Sequence, residues 1–141
     1  MSTKFVANGF STVLPDGWAD RSMVTLVNLN AASGFATNVV VLREEIAANT
    51  SVVEYARTQI SQVQTQIPSF RVLDERPTTV QDLPAYQTLQ RFTSNERHLQ
   101  QAQTFILKDQ TIFAVTCTAL LEESDAAMPA FREILNNLSF D

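Results

Sequence analysis

The sequence is short of the residues that most small-molecule and metal chemistry relies on. Its one cysteine, Cys117, excludes an internal disulfide, so the fold must stand on its core. Its one histidine, His98, leaves no Cys/His zinc site, since such a site takes four ligands. Three glycines, Gly9, Gly17 and Gly34, cannot build a GxGxxG or Walker loop. Ten Lys and Arg stand against fifteen Asp and Glu, a formal charge of −5, which excludes the basic face that nucleic acid requires. No stretch nears the roughly 20 apolar residues of a membrane span. The apolar start is broken by Asn8 and Gly9, unlike the core of a secretory signal. These absences predict no metal, no cofactor, no nucleic-acid partner and no membrane insertion. Together with Met1, the missing signal predicts a cytoplasmic protein.

What is present is an ordinary globular composition. A chain of 141 residues, 45% hydrophobic, suits one domain over 1–141. At that length roughly two-thirds of the unfolded surface is buried. Phe5 to Val13 reads as a first strand or hairpin arm, and Leu14-Pro15-Asp16-Gly17 as a turn. Met23 to Val27 and Asn38 to Leu42 are β-branched and read as strands around a polar loop over 28–34. Ser51 stands three residues before Glu54, the capping-box spacing. Val52, Ala56, Ile60, Val63 and Ile67 then repeat at helical steps, and Pro68 stops the helix.

Beyond Pro68 the period falls towards two. Phe70 to Asp74 reads as a strand, and Pro77 and Pro84 bracket a connecting segment. Ala85 to Phe92, Leu99 to Leu107 and Thr111 to Leu120 form a meander, turning at Ser94 to Arg97 and at Lys108 to Gln110. A last helix, capped by Ser124 or Asp125, carries the stripe Phe131, Ile134, Leu135 and Leu138, with Pro129 in its first turn. Strands, helix, strands, helix with short turns predict an α+β domain: a central, mostly antiparallel sheet with two helices packed on it.

The candidates for chemistry are weak. Asp16 and Asp20 lack the dense oxygen pattern of a calcium loop. Glu44-Glu45 and Glu122-Glu123 are adjacent residues that point apart along a strand. Cys117 lies in an apolar β run and reads as a buried hydrophobe rather than a nucleophile partnered by His98. Trp18 reads as a turn pinned to the core rather than a ligand platform. Gln87, Gln90, Gln100, Gln101 and Gln103 read as a solvated sheet face.

One pattern does point to binding. In Met23 to Val27 and in Val39 to Leu42 both alternating sets are apolar, as in strands covered on both sides. Either the two helices cover opposite faces, in an α/β/α sandwich, or apolar sheet remains for a subunit or ligand. In the second case Val24, Leu26, Val39 and Val41 form the candidate surface, with Met23, Val27, Val40 and Leu42 as the alternative set. Two copies could share such a surface by two-fold symmetry, which predicts a homodimer.

The run Leu14-Pro15-Asp16-Gly17-Trp18-Ala19-Asp20-Arg21-Ser22 resembles the opening of the DcrB-related family of small bacterial domains. Asn38 to Glu44 is similar to the family's strand ending in a basic residue. Phe131 to Leu135 through Leu138-Ser139-Phe140 is similar to its closing helix and final strand. The resemblance implies a PsbP-like fold and no catalytic site. It also brings in the Eag-type branch, small cytoplasmic chaperones that act as dimers. They shield hydrophobic transmembrane segments of type VI secretion effectors. The leading expectation is therefore a non-enzymatic binding protein, a chaperone for the hydrophobic segments of a secreted effector. The competing ones are a small-ligand or enzymatic domain, with Trp18 or His98 near a pocket, and a structural module.

Overall fold

The computed structural model describes residues 2–30 and 34–140, so the expected loop over 28–34 falls partly outside the described residues. Ten elements dominate the chain order: β1 (Thr3–Ala7), β2 (Phe10–Leu14), β3 (Met23–Val27), β4 (Asn38–Glu45), α1 (Val52–Gln66), β5 (Arg71–Val80), β6 (Leu83–Ser94), β7 (Arg97–Lys108), β8 (Thr111–Leu120) and α2 (Ser124–Asn136). A 3-10 turn, Leu121–Glu123, leads into α2. Strands β1 and β2 form a separate hairpin. The other six form one sheet in the order β3-β4-β8-β7-β6-β5. Every pairing in it is antiparallel. The architecture is the α+β fold with an antiparallel sheet that the element order predicts.

The helices pack on opposite faces, as the first arrangement above has it, yet apolar side chains of β3 stay exposed, as the second has it. Val52, Ala56 and Ile60 of α1 bury against Tyr86, Phe105, Ile112 and Ala114. Phe131 of α2 buries against Val39, Ala85, Ile106, Val115, Cys117 and Ala119. Ile112 and Ala114 alternate with Val115 and Cys117 along β8, so one strand serves both cores. The tail after α2 extends the second core, with the Phe113 and Phe140 rings 4.7 Å apart.

Helix α1 starts as its spacing predicts: the Ser51 hydroxyl accepts from the Glu54 N–H at 3.1 Å. Its end is set by Pro68, which holds Ile67 in an extended conformation at φ −120. The Tyr55 phenol ties α1 to β4, and the Tyr86 phenol ties β6 to its neighbour β5. Tyr55 donates to Glu44 at 2.6 Å and Tyr86 donates to Glu75 at 2.5 Å. Burial, then these carboxylate acceptors, push both phenols above the ordinary range.

Several expectations are corrected. Pro77 and Pro84 do not bracket a connection. They lie within β5 and β6, joined by Gln81 and Asp82, both at positive φ as a two-residue hairpin requires. Pro77 is tolerated because β5 is an edge strand, where a missing N–H breaks no ladder. Ser124 does not cap α2: its hydroxyl donates to the Leu121 carbonyl at 2.8 Å, and the N-cap is Glu123. Pro129 falls beyond the first turn of α2. No strand follows α2 among the described residues.

Replacing Ser51 with Ala removes the one side-chain acceptor at the start of α1. Denaturant melts should show a loss of about 0.5–2 kcal/mol, with the helix otherwise intact. An unchanged midpoint would show that the cap carries no stability.

Candidate functional site

Helix α1 lies chiefly over β6 and β7, reaches Ile112 and Ala114 of β8, and leaves much of the β3–β4 side of its own face open. The result is a groove of about 500 Å³. One wall is the inner side of α1 and the turn at its end, with Ile60, Val63, Ile67 and Phe70. The other is the edge of the sheet, with Met23, Val40 and Leu42. Both walls are apolar because α1 carries its stripe at helical steps and β4 carries apolar residues in both alternations.

The floor is different in kind. Five side chains of β6, β7 and β8 join in one hydrogen-bonded row, which Thr88 extends. The Thr88 hydroxyl donates to the Gln90 carbonyl oxygen at 2.6 Å. The Gln90 amide donates to the carbonyl oxygens of Gln101 at 3.3 Å and Gln103 at 3.2 Å. The Gln101 amide donates to Thr118 at 3.1 Å, and the Gln103 amide to Thr116 at 3.0 Å. Gln90 is only 1% exposed. A buried amide is tolerated when its donors and acceptor are engaged. No buried side-chain polar atom is left unpaired among the described residues.

Gln90, Gln101 and Gln103 are thus a built floor, not the solvated face the sequence suggests, while Gln87 and Gln100 fall on the other alternation, Gln100 accepting from Arg91. A signal for it is present in the alternation: Gln90, Gln101 and Gln103 share one face with Thr116 and Thr118. Only the strand register, which pairs Gln101 with Thr118 and Gln103 with Thr116, reveals it.

The groove lacks charge. Tyr55 is the only ionisable residue among the described ones that line it. It has no general base, no nucleophile pair and no cation for a phosphate. The lining offers apolar contact from its walls and amide and hydroxyl groups from its floor.

The structure distributes the expected surface over two settings. Val39 is 2% exposed and closes the core beneath α2, and Val41 packs half-buried beside it. Val24 and Leu26 pair with them on the edge strand but are 48% and 45% exposed. Of the alternative set, Val40 and Leu42 are half-buried in the groove wall, while Met23 at its rim is 65% exposed. Val27 is exposed on that same face, paired with Asn38.

The remaining candidates are not assembled. Cys117 packs under α2, and burial pushes its thiol up to about 12. His98 sits at the mouth of the β6–β7 hairpin, 3.2 Å from the Thr93 hydroxyl. It lies four residues along β7 from Ala102, the partner of Cys117, which is about 13 Å of strand. Trp18 is 71% exposed and does not pin its turn to the core, although the turn itself closes from the Trp18 N–H to the Pro15 carbonyl at 3.2 Å. Asp20 faces Ser22 and Arg43. Among the described residues no three His, Cys, Asp or Glu gather as metal ligands.

Known proteins share this architecture. The DcrB family model matches residues 11–137. No curated protein matches the chain. Among solved structures, the protein of unknown function PA94 from Pseudomonas aeruginosa superposes with a TM-score of 0.83. The two share 17% identity, over 99% of this chain and 97% of that one. LpqN of Mycobacterium tuberculosis, involved in cell envelope biogenesis, gives 0.64 at 12% identity over 93% and 73%. The PsbP protein of the cyanobacterium Synechocystis sp. PCC 6803 gives 0.54 at 11% identity over 93% and 87%. At these identities the likeness is one of fold, and the fold is PsbP-like.

Two measurements check the site. Gln90→Leu should destabilise the protein by about 1–3 kcal/mol despite its greater hydrophobicity, because Thr88, Gln101 and Gln103 lose a buried partner. A neutral or stabilising result would show that the row is dispensable. The Cys117 thiol should resist a thiol reagent at pH 8 until the protein is unfolded. Because its folded value is raised above the ordinary 9.0, its contribution to stability is full below pH 9 and lost as pH rises towards 12. Rapid labelling of the folded chain would contradict the burial.

Proposed function

The chain belongs to the DcrB family, and from that premise we propose that it is a non-enzymatic binding protein whose α1 groove receives an apolar helical segment of another protein. The observation that carries this reading is the uncharged groove with apolar walls and an amide floor. Apolar burial against Met23, Val40, Leu42, Val63 and Ile67 supplies affinity without nucleotide or metal. Docking of an apolar helix between a helix and a sheet edge is a form of helix-in-groove recognition.

In its sharper form the guest is a hydrophobic segment of a type VI secretion effector, shielded in the cytoplasm before export. This form is supported by the resemblance to the Eag-type branch, by the acidic composition and by the uncharged lining. A large effector with N-terminal apolar helices, encoded beside this chain, would favour it. The absence of such a neighbour would direct the reading to another apolar partner. The groove's volume also falls in the range of small-molecule pockets, which favours a neutral small ligand as the second reading.

The test is calorimetric binding of an uncharged, apolar helical peptide. Val40→Asp and Val63→Asp should each weaken binding at least about tenfold, since an unpaired charge in a dry contact is costly. Leu73→Asp, on the far edge strand, should bind like the parent. If the parent binds nothing, or both folded groove variants bind as it does, the helix reading fails. Uptake of a small apolar dye with no peptide binding would select the second reading.

A further inference from the structure

The opposite face of the sheet carries the cations that the α1 groove lacks. Along β6, Ala85 lies in the core beneath α2, and Arg91 falls on the same alternation. Arg91 is the direct cross-strand partner of Arg71 on β5, so both side chains leave the sheet on the α2 side. Residues opposed in this way have Cβ atoms about 4.5–5.5 Å apart, and like charges in that position repel.

The chain has acidic residues in excess, fifteen against ten basic ones, and uses them to satisfy arginines elsewhere. Arg43 lies 3.6 Å from Asp20, and Arg57 bonds the Tyr86 phenol that in turn meets Glu75. Among the described residues neither Arg71 nor Arg91 has a carboxylate partner. Asp74 lines a separate depression with Arg76, and Glu96 and Glu122 line one that adjoins His98.

The surroundings hold the two guanidiniums in place. Arg91 Nε donates to the carbonyl oxygen of Gln100 at 2.9 Å, and Gln100 is buried. That anchor leaves the terminal nitrogens of Arg91 unpaired. Ser69 clamps the entry to β5 onto β6: its hydroxyl accepts from the Thr93 N–H at 2.9 Å and donates to the Thr93 carbonyl at 3.3 Å. Arg71 follows two residues later and is thereby kept beside Arg91. The Thr93 hydroxyl lies 3.2 Å from His98 Nδ1. With that hydroxyl donating, Nε2 carries the ring proton and can donate in turn. Ser69, Arg71, Arg91, Thr93 and His98 line one cavity of about 270 Å³, which Leu121 borders from the 3-10 turn.

We propose that this cavity binds the phosphate group of a small phosphate monoester. Such a group carries about −1.5 to −2 charges at pH 7 and three acceptor oxygens. Two guanidiniums offset that charge, and Arg71, Arg91 and His98 offer a donor group to each oxygen. Guanidinium forks match phosphate oxygens two at a time. A carboxylate brings one charge and two oxygens, and would leave part of the site unused. The volume falls just below the ~300–1,000 Å³ of drug-sized sites, which suits a compact phosphate ester rather than a nucleotide. An anion between Arg71 and Arg91 also relieves their repulsion. The site lies on the face away from α1 and does not rest on the helix reading.

Calorimetric titration of the full chain with glycerol 3-phosphate at low salt should give one site, with a Kd of about 1 mM or tighter. The same ligand should raise the melting temperature. Acetate should bind at least about tenfold more weakly. Arg71→Gln and Arg91→Gln should each weaken glycerol 3-phosphate binding at least about tenfold, through loss of charge-assisted hydrogen bonds. Arg132→Gln removes the same charge from another part of the α2 face and should bind like the parent. Vesicles containing phosphatidic acid, whose headgroup is a phosphate monoester, distinguish the source of the group. Capture that is lost in Arg71→Gln assigns a lipid headgroup, and glycerol 3-phosphate binding without capture assigns a soluble ester. Binding of neither probe, equal binding of acetate, or folded Arg71→Gln and Arg91→Gln variants that bind as the parent does, would overturn the proposal.

Discussion

A mismatch in width governs this structure. Six strands spaced about 4.8 Å apart make a sheet roughly 24 Å across, while a helix with its side chains covers about 10–12 Å. One helix on each face therefore cannot cover the sheet. The two faces meet this shortfall differently. On the α2 side the chain continues past the helix, and Leu138 and Phe140 extend the apolar cover towards Phe113. On the α1 side the chain turns into β5 soon after the helix ends, and the uncovered strip becomes the groove.

The uncovered strip must be stable in water and still be receptive. An apolar floor would present a broad sticky surface to solvent. An isolated buried amide would be costly. The Gln and Thr row avoids both, since each amide is engaged by a neighbour across the strands. The row depends on register, because a one-residue slip of β7 against β8 would turn Gln101 and Gln103 to the α2 face. Register in turn is held by tight hairpins, among them Gln81-Asp82 and Asn95-Glu96, which carry positive φ at both residues. Local turn geometry and the chemistry of the groove are thus linked through the ladder.

The same sheet explains where the chain keeps its exposed apolar residues. Strand β8 sits between β4 and β7 and is buried on both faces. Protection falls off towards the β3 edge, where β4 and one partly covered face are the only shelter. The hairpin β1–β2 forms its own two-stranded sheet, and a lone hairpin is marginal in water. Val6, Phe10 and Val13 on it are exposed, as is Trp18 beyond it. The N-terminal segment is therefore the part of the molecule with most to gain from contact with another chain.

By itself the sequence determined the element types. Helix α1 is announced by Ser51, its stripe and Pro68, because caps, periodicity and proline act over a few residues. The strands of the meander and the α+β order are equally local. The doubly apolar β3 and β4 also signalled that two surfaces had to be covered. Only the tertiary structure decided which helix lies on which face, and so it set Val39 in the core, Val40 in the groove and Val24 at an open edge. Alternation states that neighbours point apart and not which side a distant helix will occupy. Composition likewise made the glutamines look like solvent-facing residues. Their row exists only when β6, β7 and β8 lie side by side in one register, an alignment of residues as far apart in sequence as Gln90 and Thr118. Local rules act within a few residues, whereas sites are assembled by contacts that the chain makes only on folding.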